Sequence, residues 1–183
     1  MSTIESKNIL FSDVKDGETF KIGDMEFIKF PSMDGKTPVV MKGIAFSSQF
    51  GKDNDFRHST ILKRLEKEVL PKIIAAVGEE NVCTFKTDLT TWDGLKVYGE
   101  MESRISLPTM DFYRANVDIF DRHKAGSWWW LATADSAKPH YDPIWTLCVS
   151  PSGGFIHRDD FLSDNGVRPI LIFKSSIFGS LEN

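Results

Sequence analysis

Along the first third of the chain, apolar residues come in short runs separated by turn pairs. Asp16-Gly17, Gly23-Asp24 and Asp34-Gly35 punctuate runs rich in Phe, Ile and Val. That is the pattern of strands closed by tight turns. It predicts strands over Glu18 to Ile22, Met25 to Phe30 and Lys36 to Phe46. Pro38 has no N–H to give a ladder, so the start of the third run is an edge or entry position.

The period then changes. Ile61, Leu62, Leu65 and Val69 share one helical face, with Ser59 placed to cap its first turn. Leu70, Ile73, Ile74 and Val77 continue the stripe on an arc rotated round the helix, and Pro71 sits where it shifts. The spacing predicts a kink, or two short helices with Pro71 opening the second, and a stop at Gly78. A strand is expected over Asn81 to Thr87, a turn at Asp93-Gly94 and a short strand or extended piece over Arg104 to Leu107. Thr109 is positioned to cap a second helix over Met110 to Phe120, with Phe112, Tyr113, Val117, Ile119 and Phe120 on a broad apolar side.

The last third returns to strands. Ser127 to Ala132 is aromatic, Ile144 to Ser150 and Phe155 to Arg158 flank the hairpin signal Pro151-Ser152-Gly153-Gly154, and Val167 to Phe173 is apolar. Strands, two helices, then strands make an α+β pattern with an antiparallel sheet.

Composition narrows the class without naming a reaction. The 183 residues suit one domain, with 41% apolar and 26% charged positions. The 22 basic and 26 acidic residues leave a net charge of -4, against a dedicated nucleic-acid binder. Fourteen Phe and five Trp imply a core or surface built on large flat side chains. No stretch reaches the ~20 apolar residues of a membrane span. Met1 to Asn8 lacks the apolar core of a signal peptide, so a cytosolic location, or assembly from the cytosol into a virion, is expected. In that setting Cys83 and Cys148 read as free, structural thiols.

The polar residues form no standard catalytic pattern. His58, His123, His140 and His157 do not pair at metal-ligand spacing, and no CxxC or GxSxG occurs. Asp53-Asn54-Asp55 lacks the full spacing of a calcium loop. Gly153-Gly154 follows Pro-Ser instead of opening a helix, so it marks a hairpin and not a phosphate loop. Trp128-Trp129-Trp130 alternates across a strand, so at least one indole belongs to the core. Arg168 in an apolar strand must pair with a carboxylate or backbone carbonyls, because an uncompensated buried charge is costly.

Trp128-Trp129-Trp130-Leu131-Ala132-Thr133, the hairpin at Gly153-Gly154 and Gly166-Val167-Arg168-Pro169-Ile170 together resemble a largely uncharacterised domain family of Gram-positive bacteria and their phages. Its signature runs Trp-Trp-Leu-Arg-Ser-Pro, a Gly-containing hairpin, then Gly-Val-Arg-Pro-Ala. The layout from Phe27 through the Ser59 helix and at Ser106-Leu107-Pro108-Thr109 is also similar. Ala132-Thr133-Ala134 replaces Arg-Ser-Pro, which makes this a divergent member. The resemblance implies a C-type-lectin-like fold, similar to formylglycine-generating enzymes and phage tropism proteins.

Those enzymes carry a close cysteine pair for copper and oxygen chemistry. Here only Cys148 lies toward the C-terminus, and the histidine-rich iron motif of the related sulfoxide synthases is absent. The expectation is therefore a non-enzymatic recognition module of phage or mobile-element origin, without cofactor or metal. Its partner would be a protein or a glycan, including the sharper case of an inhibitor of a host defence protein such as an anti-CRISPR. The expected contact residues are His140, Tyr141, Asp142 and Trp145, in the loop before the hairpin, and Arg158, Asp159 and Asp160 beyond it. Trp128, Trp129, Trp130 and Arg168 are assigned to structure. The rivals are a metal- or copper-dependent oxidoreductase, which needs Cys83 and Cys148 to meet in a cleft, and a phage structural protein.

Overall fold

A computed structural model describes residues 7–154, 156–176 and 178–181. Met1 to Ser6 and Phe155, parts of the stretches read above, lie outside the described residues. The first strands are β1 (Lys7–Leu10), β2 (Thr19–Ile22), β3 (Met25–Lys29) and β4 (Lys36–Met41). The chain then crosses to β5 (Phe46–Ser48) and enters a helical stretch: α1 (Thr60–Arg64), a π turn at Leu65–Val69 and α2 (Leu70–Val77). A small hairpin follows, β6 (Phe85–Asp88) and β7 (Glu100–Ser103), and then α3 (Met110–Ala115) and α4 (Val117–Arg122). The C-terminal strands are β8 (Trp129–Ala134), β9 (Trp145–Val149), β10 (Ile156–Asp160), β11 (Asn165–Val167), β12 (Ile170–Lys174) and β13 (Phe178–Leu181).

These strands form a six-stranded sheet in the order β1-β13-β2-β3-β4-β12, a five-stranded sheet in the order β10-β9-β8-β11-β5, and the β6-β7 ribbon. The architecture is α+β. One pairing departs from the expected antiparallel sheet: β11 meets β8 in parallel, at Gly166 opposite Trp129. No helix among the described residues is long and apolar enough to cross a membrane.

Both sheets are packed on both faces, which explains the near-continuous apolar runs. One core cluster holds Phe20, Val39 and Leu171 of the large sheet, Trp130 and Cys148 of the other, and Ile61, Leu65 and Ile73 of the long helical stretch. The second holds Ile28, Val40 and Ile170, then Trp129, Leu131 and Leu147, and covers them with Tyr113, Ile119 and Phe120 from α3 and α4. Trp129 and Trp130 thus point to opposite faces, as strand alternation requires, and are 1% and 0% exposed.

Two long apolar runs are each split, because the chain changes sheet inside them. Lys36 to Phe46 contains β4, a crossing at residues 42–45 and the start of β5. Val167 to Phe173 contains the end of β11, a crossing at Arg168-Pro169, and β12. Arg168 is therefore not in a strand. The crossings run side by side: Met41 N–H donates to the Pro169 carbonyl at 3.0 Å, and Ala45 N–H to the Val167 carbonyl at 2.9 Å.

Arg168 is 1% exposed. Its Nε donates to the Met41 carbonyl at 3.1 Å, and its guanidinium lies 4.9 Å from the Trp129 ring centre and 5.7 Å from that of Phe120. Of the two partners expected, backbone carbonyls are used. Burial pulls its pKa down to about 10. Gly166 beside it has no room for a side chain: a Cβ there would stand 2.6 Å from Ile44 Cδ1 and 2.9 Å from the Trp128 carbonyl oxygen.

Other boundaries also move. Ser59 and Thr109 cap as expected, accepting from Leu62 N–H at 3.0 Å and Phe112 N–H at 3.2 Å. Gly78 ends α2 with φ at 87°. The second helix breaks at Asn116, whose side chain donates to the Phe112 carbonyl at 2.9 Å. The expected strand at Asn81 to Thr87 begins only at Phe85. Arg104 to Leu107 bends at its first two residues and contributes a single bridge, Ser106 to Ile170, while the neighbouring β7 is acidic enough (Glu-Met-Glu-Ser) to hide from an apolar pattern.

Candidate functional site

The end of the five-stranded sheet formed by the last residue of β8 and the first of β9 carries three loops. Residues 135–144 join those strands, 161–164 follow β10, and 89–98 reach across from the β6-β7 ribbon. Backbone bonds fasten the third loop to the first: Trp92 N–H donates to the Ala134 carbonyl at 2.8 Å and Asp93 N–H to the Asp135 carbonyl at 3.3 Å.

Asn54 is the buried post beneath them. Its Nδ2 donates to the Ser136 and Trp145 carbonyls at 2.8 and 2.9 Å, and its Oδ1 accepts from the Tyr98 hydroxyl at 2.6 Å. Asp55 caps the next turn and holds Arg57 at 2.6 Å. The Asp53-Asn54-Asp55 stretch thus serves as loop anchor.

Asp93 ties the rim together. One carboxylate oxygen accepts from Thr91; the other accepts from Ser136 at 2.6 Å and lies 3.0 Å from His140 Nδ1. Partial burial works to raise this carboxyl, and the donors Ser136, Thr91 and His140 overcome it, bringing it down to about 2. A carboxylate can only accept, so the His140 proton faces Asp93 and Nε2 is left as the outer nitrogen.

The expected contact residues divide into two groups. His140, Tyr141 and Asp142 do lie in the 135–144 loop, and Tyr141 is 62% exposed. Trp145, also expected as a contact residue, is the first residue of β9, within the strand read over Ile144 to Ser150, and half-buried, with the Arg158 guanidinium 5.5 Å from its ring centre. Arg158 also pairs with Asp135 at 3.1 Å.

Arg158, read as the last residue of a strand, and Asp159 and Asp160, expected in a loop beyond it, all belong to β10. Asp159 accepts from Ser163 at 2.7 Å and Asn165 at 3.0 Å. Asp160 accepts from Leu162 N–H at 2.8 Å. Both carboxylates brace the turn into β11. Sequence reading missed Trp92, Asp93, Ser136, Asn54 and Tyr98. The available signal was an indole beside the Asp93-Gly94 turn.

Five large apolar residues are exposed among the described ones: Met33, Trp92, Val97, Tyr141 and Leu162. Four of the five lie on these three loops. No family model, curated protein or solved structure matches the chain.

Neither cysteine lines this face. Cys148 is buried in β9, donates to the His157 carbonyl at 3.4 Å and is pushed up to about 12 by burial, which keeps it a neutral thiol. Cys83 is half-buried, with its backbone N–H bonded to Ile172 of the other sheet. No group of three or more His, Cys, Asp or Glu among the described residues is placed to hold a metal ion.

Proposed function

We propose that this protein is a non-enzymatic recognition module, and that the loops 89–98, 135–144 and 161–164 are its contact face for a protein or glycan. The observation that carries the reading is the gathering there of Trp92, Val97, Tyr141 and Leu162. Exposed apolar residues scattered singly mean nothing, whereas a cluster rimmed by polar groups marks an interaction site. Trp, Tyr and Arg are also the residues that dominate binding energy when they are anchored. Here Asn54 and Asp93 supply the anchoring, so little loop entropy is lost on binding. The rim carboxylates hold loops in place, which leaves them occupied in the free protein.

The sequence resemblance supports two finer readings. The frame is C-type-lectin-like, with helical layers flanking small sheets and contact loops gathered at one end. The setting is phage–host contact, either within a virion or as an intracellular inhibitor of a host defence protein such as an anti-CRISPR.

A photo-crosslinking amino acid at position 141, with the same group at Met33 as control, tests the contact face in lysate and wall fractions of Gram-positive cells. The expected result is a discrete adduct from position 141, absent from position 33 and lost when Trp92→Ala is added. Equal labelling from both positions removes this face from consideration.

A further inference from the structure

Beside the contact face lies a cavity of about 210 Å³ with the Trp92 indole in its wall. We infer that this cavity is the seat for one neutral sugar ring of the partner, so that the partner is a glycan. This rests on the recognition reading above and names its ligand class.

Size comes first. At about 210 Å³ the space is more than ten times the ~10–15 Å³ that seats one water, room for a pyranose ring. Its lining is the second observation. A seat for an apolar side chain would be walled by aliphatic residues, but here the apolar side chains are Trp92 and Met110. The rest is Gly94, four threonines whose hydroxyls are bonded within the protein, and the charged residues Asp88, Asp111 and Arg114. Carboxylates beside a single flat wall match a ring with polar edges and an apolar face.

The charged groups of the lining are each matched by a neighbour. Arg114 pairs with Asp111 at 3.2 Å, and Lys96, from outside the lining, bears on Asp88. The acceptors are in place beforehand: Thr90 donates to Asp88 through both N–H and hydroxyl, at 2.8 and 2.6 Å, which fixes that carboxylate. Arg114 lies 5.1 Å from the Trp92 ring centre and steadies the indole, which remains 50% exposed.

The test uses full-length protein labelled with fluorotryptophan, titrated separately with the methyl pyranosides of glucose, galactose, mannose and N-acetylglucosamine. Glucuronate and methylguanidinium serve as charged probes. The Trp92 resonance is assigned by Trp92→Phe. At least one neutral pyranoside is expected to shift it saturably. Asp88→Ala should weaken that binding about tenfold or more, as loss of a hydrogen bond to a charged acceptor predicts, while the other four Trp resonances stay in place as proof of folding. The inference is overturned if no neutral pyranoside moves the Trp92 resonance, if Asp88→Ala binds as well as the parent, or if a charged probe binds more tightly. Failure of the wider reading shows separately, as loss of the position-141 adduct in a protein that still binds the sugar.

Discussion

At Arg168 a guanidinium is held where water does not reach, with one backbone acceptor and two aromatic faces as compensation. Its second terminal nitrogen has no partner among the described residues. A buried charge so thinly paired costs desolvation, and its packing offsets that cost. Arg168→Met keeps the volume and removes the charge, whereas Arg168→Ala also opens a cavity. The alanine variant should lose about 3–5 kcal/mol, and the methionine variant clearly less, in urea unfolding. Equal losses would mean that the charge itself stabilises the crossing. Asp93 is the opposite case, a carboxylate met by three side-chain donors. Its pKa falls from 3.8 to about 2, so its contribution to stability is complete above 3.8 and fades as pH drops toward 2. Asp93→Asn should cost on the order of 1 kcal/mol at neutral pH, discounted for its partial exposure. The difference from the parent should shrink when both are unfolded near pH 2. A gap that widens in acid would show that another group holds the rim.

Among the elements, the long helical stretch shows how far a pattern can be read. The buried positions Ile61, Leu62 and Leu65 and then Val69, Leu70 and Ile73 keep one face only if an extra residue is accommodated between them. The π turn does this, with Leu70 N–H bonded to the Leu65 carbonyl five residues back. The rotated stripe was therefore a true signal, and Pro71 marked its place, but pattern alone did not distinguish a kink from an inserted residue. Deleting Lys67, on the exposed side of the turn, should restore a plain α-helix, leave both flanking faces on the core and shift the melting temperature by only a few degrees. Deleting Lys72 turns everything after it by about 100° and should abolish folding. Equal tolerance of the two deletions would refute the insertion. The same contrast runs through the molecule. Caps and hairpins were legible because they depend on neighbours in sequence, as at Ser59, Thr109 and Gly153-Gly154. The sheet crossings and the break at Asn116 were not, since their positions depend on what lies opposite in space. The contact face was half legible: Tyr141 and His140 sit in a recognisable loop, while Trp92 joins them through its own bond to Ala134 and that of Asp93 to Asp135, about 40 residues away.

At the scale of the whole chain, the two sheets are joined where the paired crossings meet. Met41 donates to Pro169 and Ala45 to Val167 at the ends of the crossings, Arg168 Nε closes on Met41, and Gly166 packs against Ile44 and the Trp128 carbonyl with no space left over. Each core cluster draws side chains from both sheets, so neither sheet can open without exposing apolar surface belonging to the other. Such an arrangement should unfold as one unit. Amides of the β2-β3 hairpin, in the large sheet, and of the β9-β10 hairpin, in the other, should exchange through an opening of the same free energy. Gly166→Ala, which forces a methyl group against backbone, should lower both values together. If it lowered only the β9-β10 value, the sheets would be separable units. The contact loops would then rest on the five-stranded sheet alone, and ligand binding should stabilise that sheet without changing the large one. With a single cooperative core, binding at the rim should raise the protection of both hairpins by the same amount, because the loops draw their rigidity from Asn54 and Asp93 and these in turn from the whole fold.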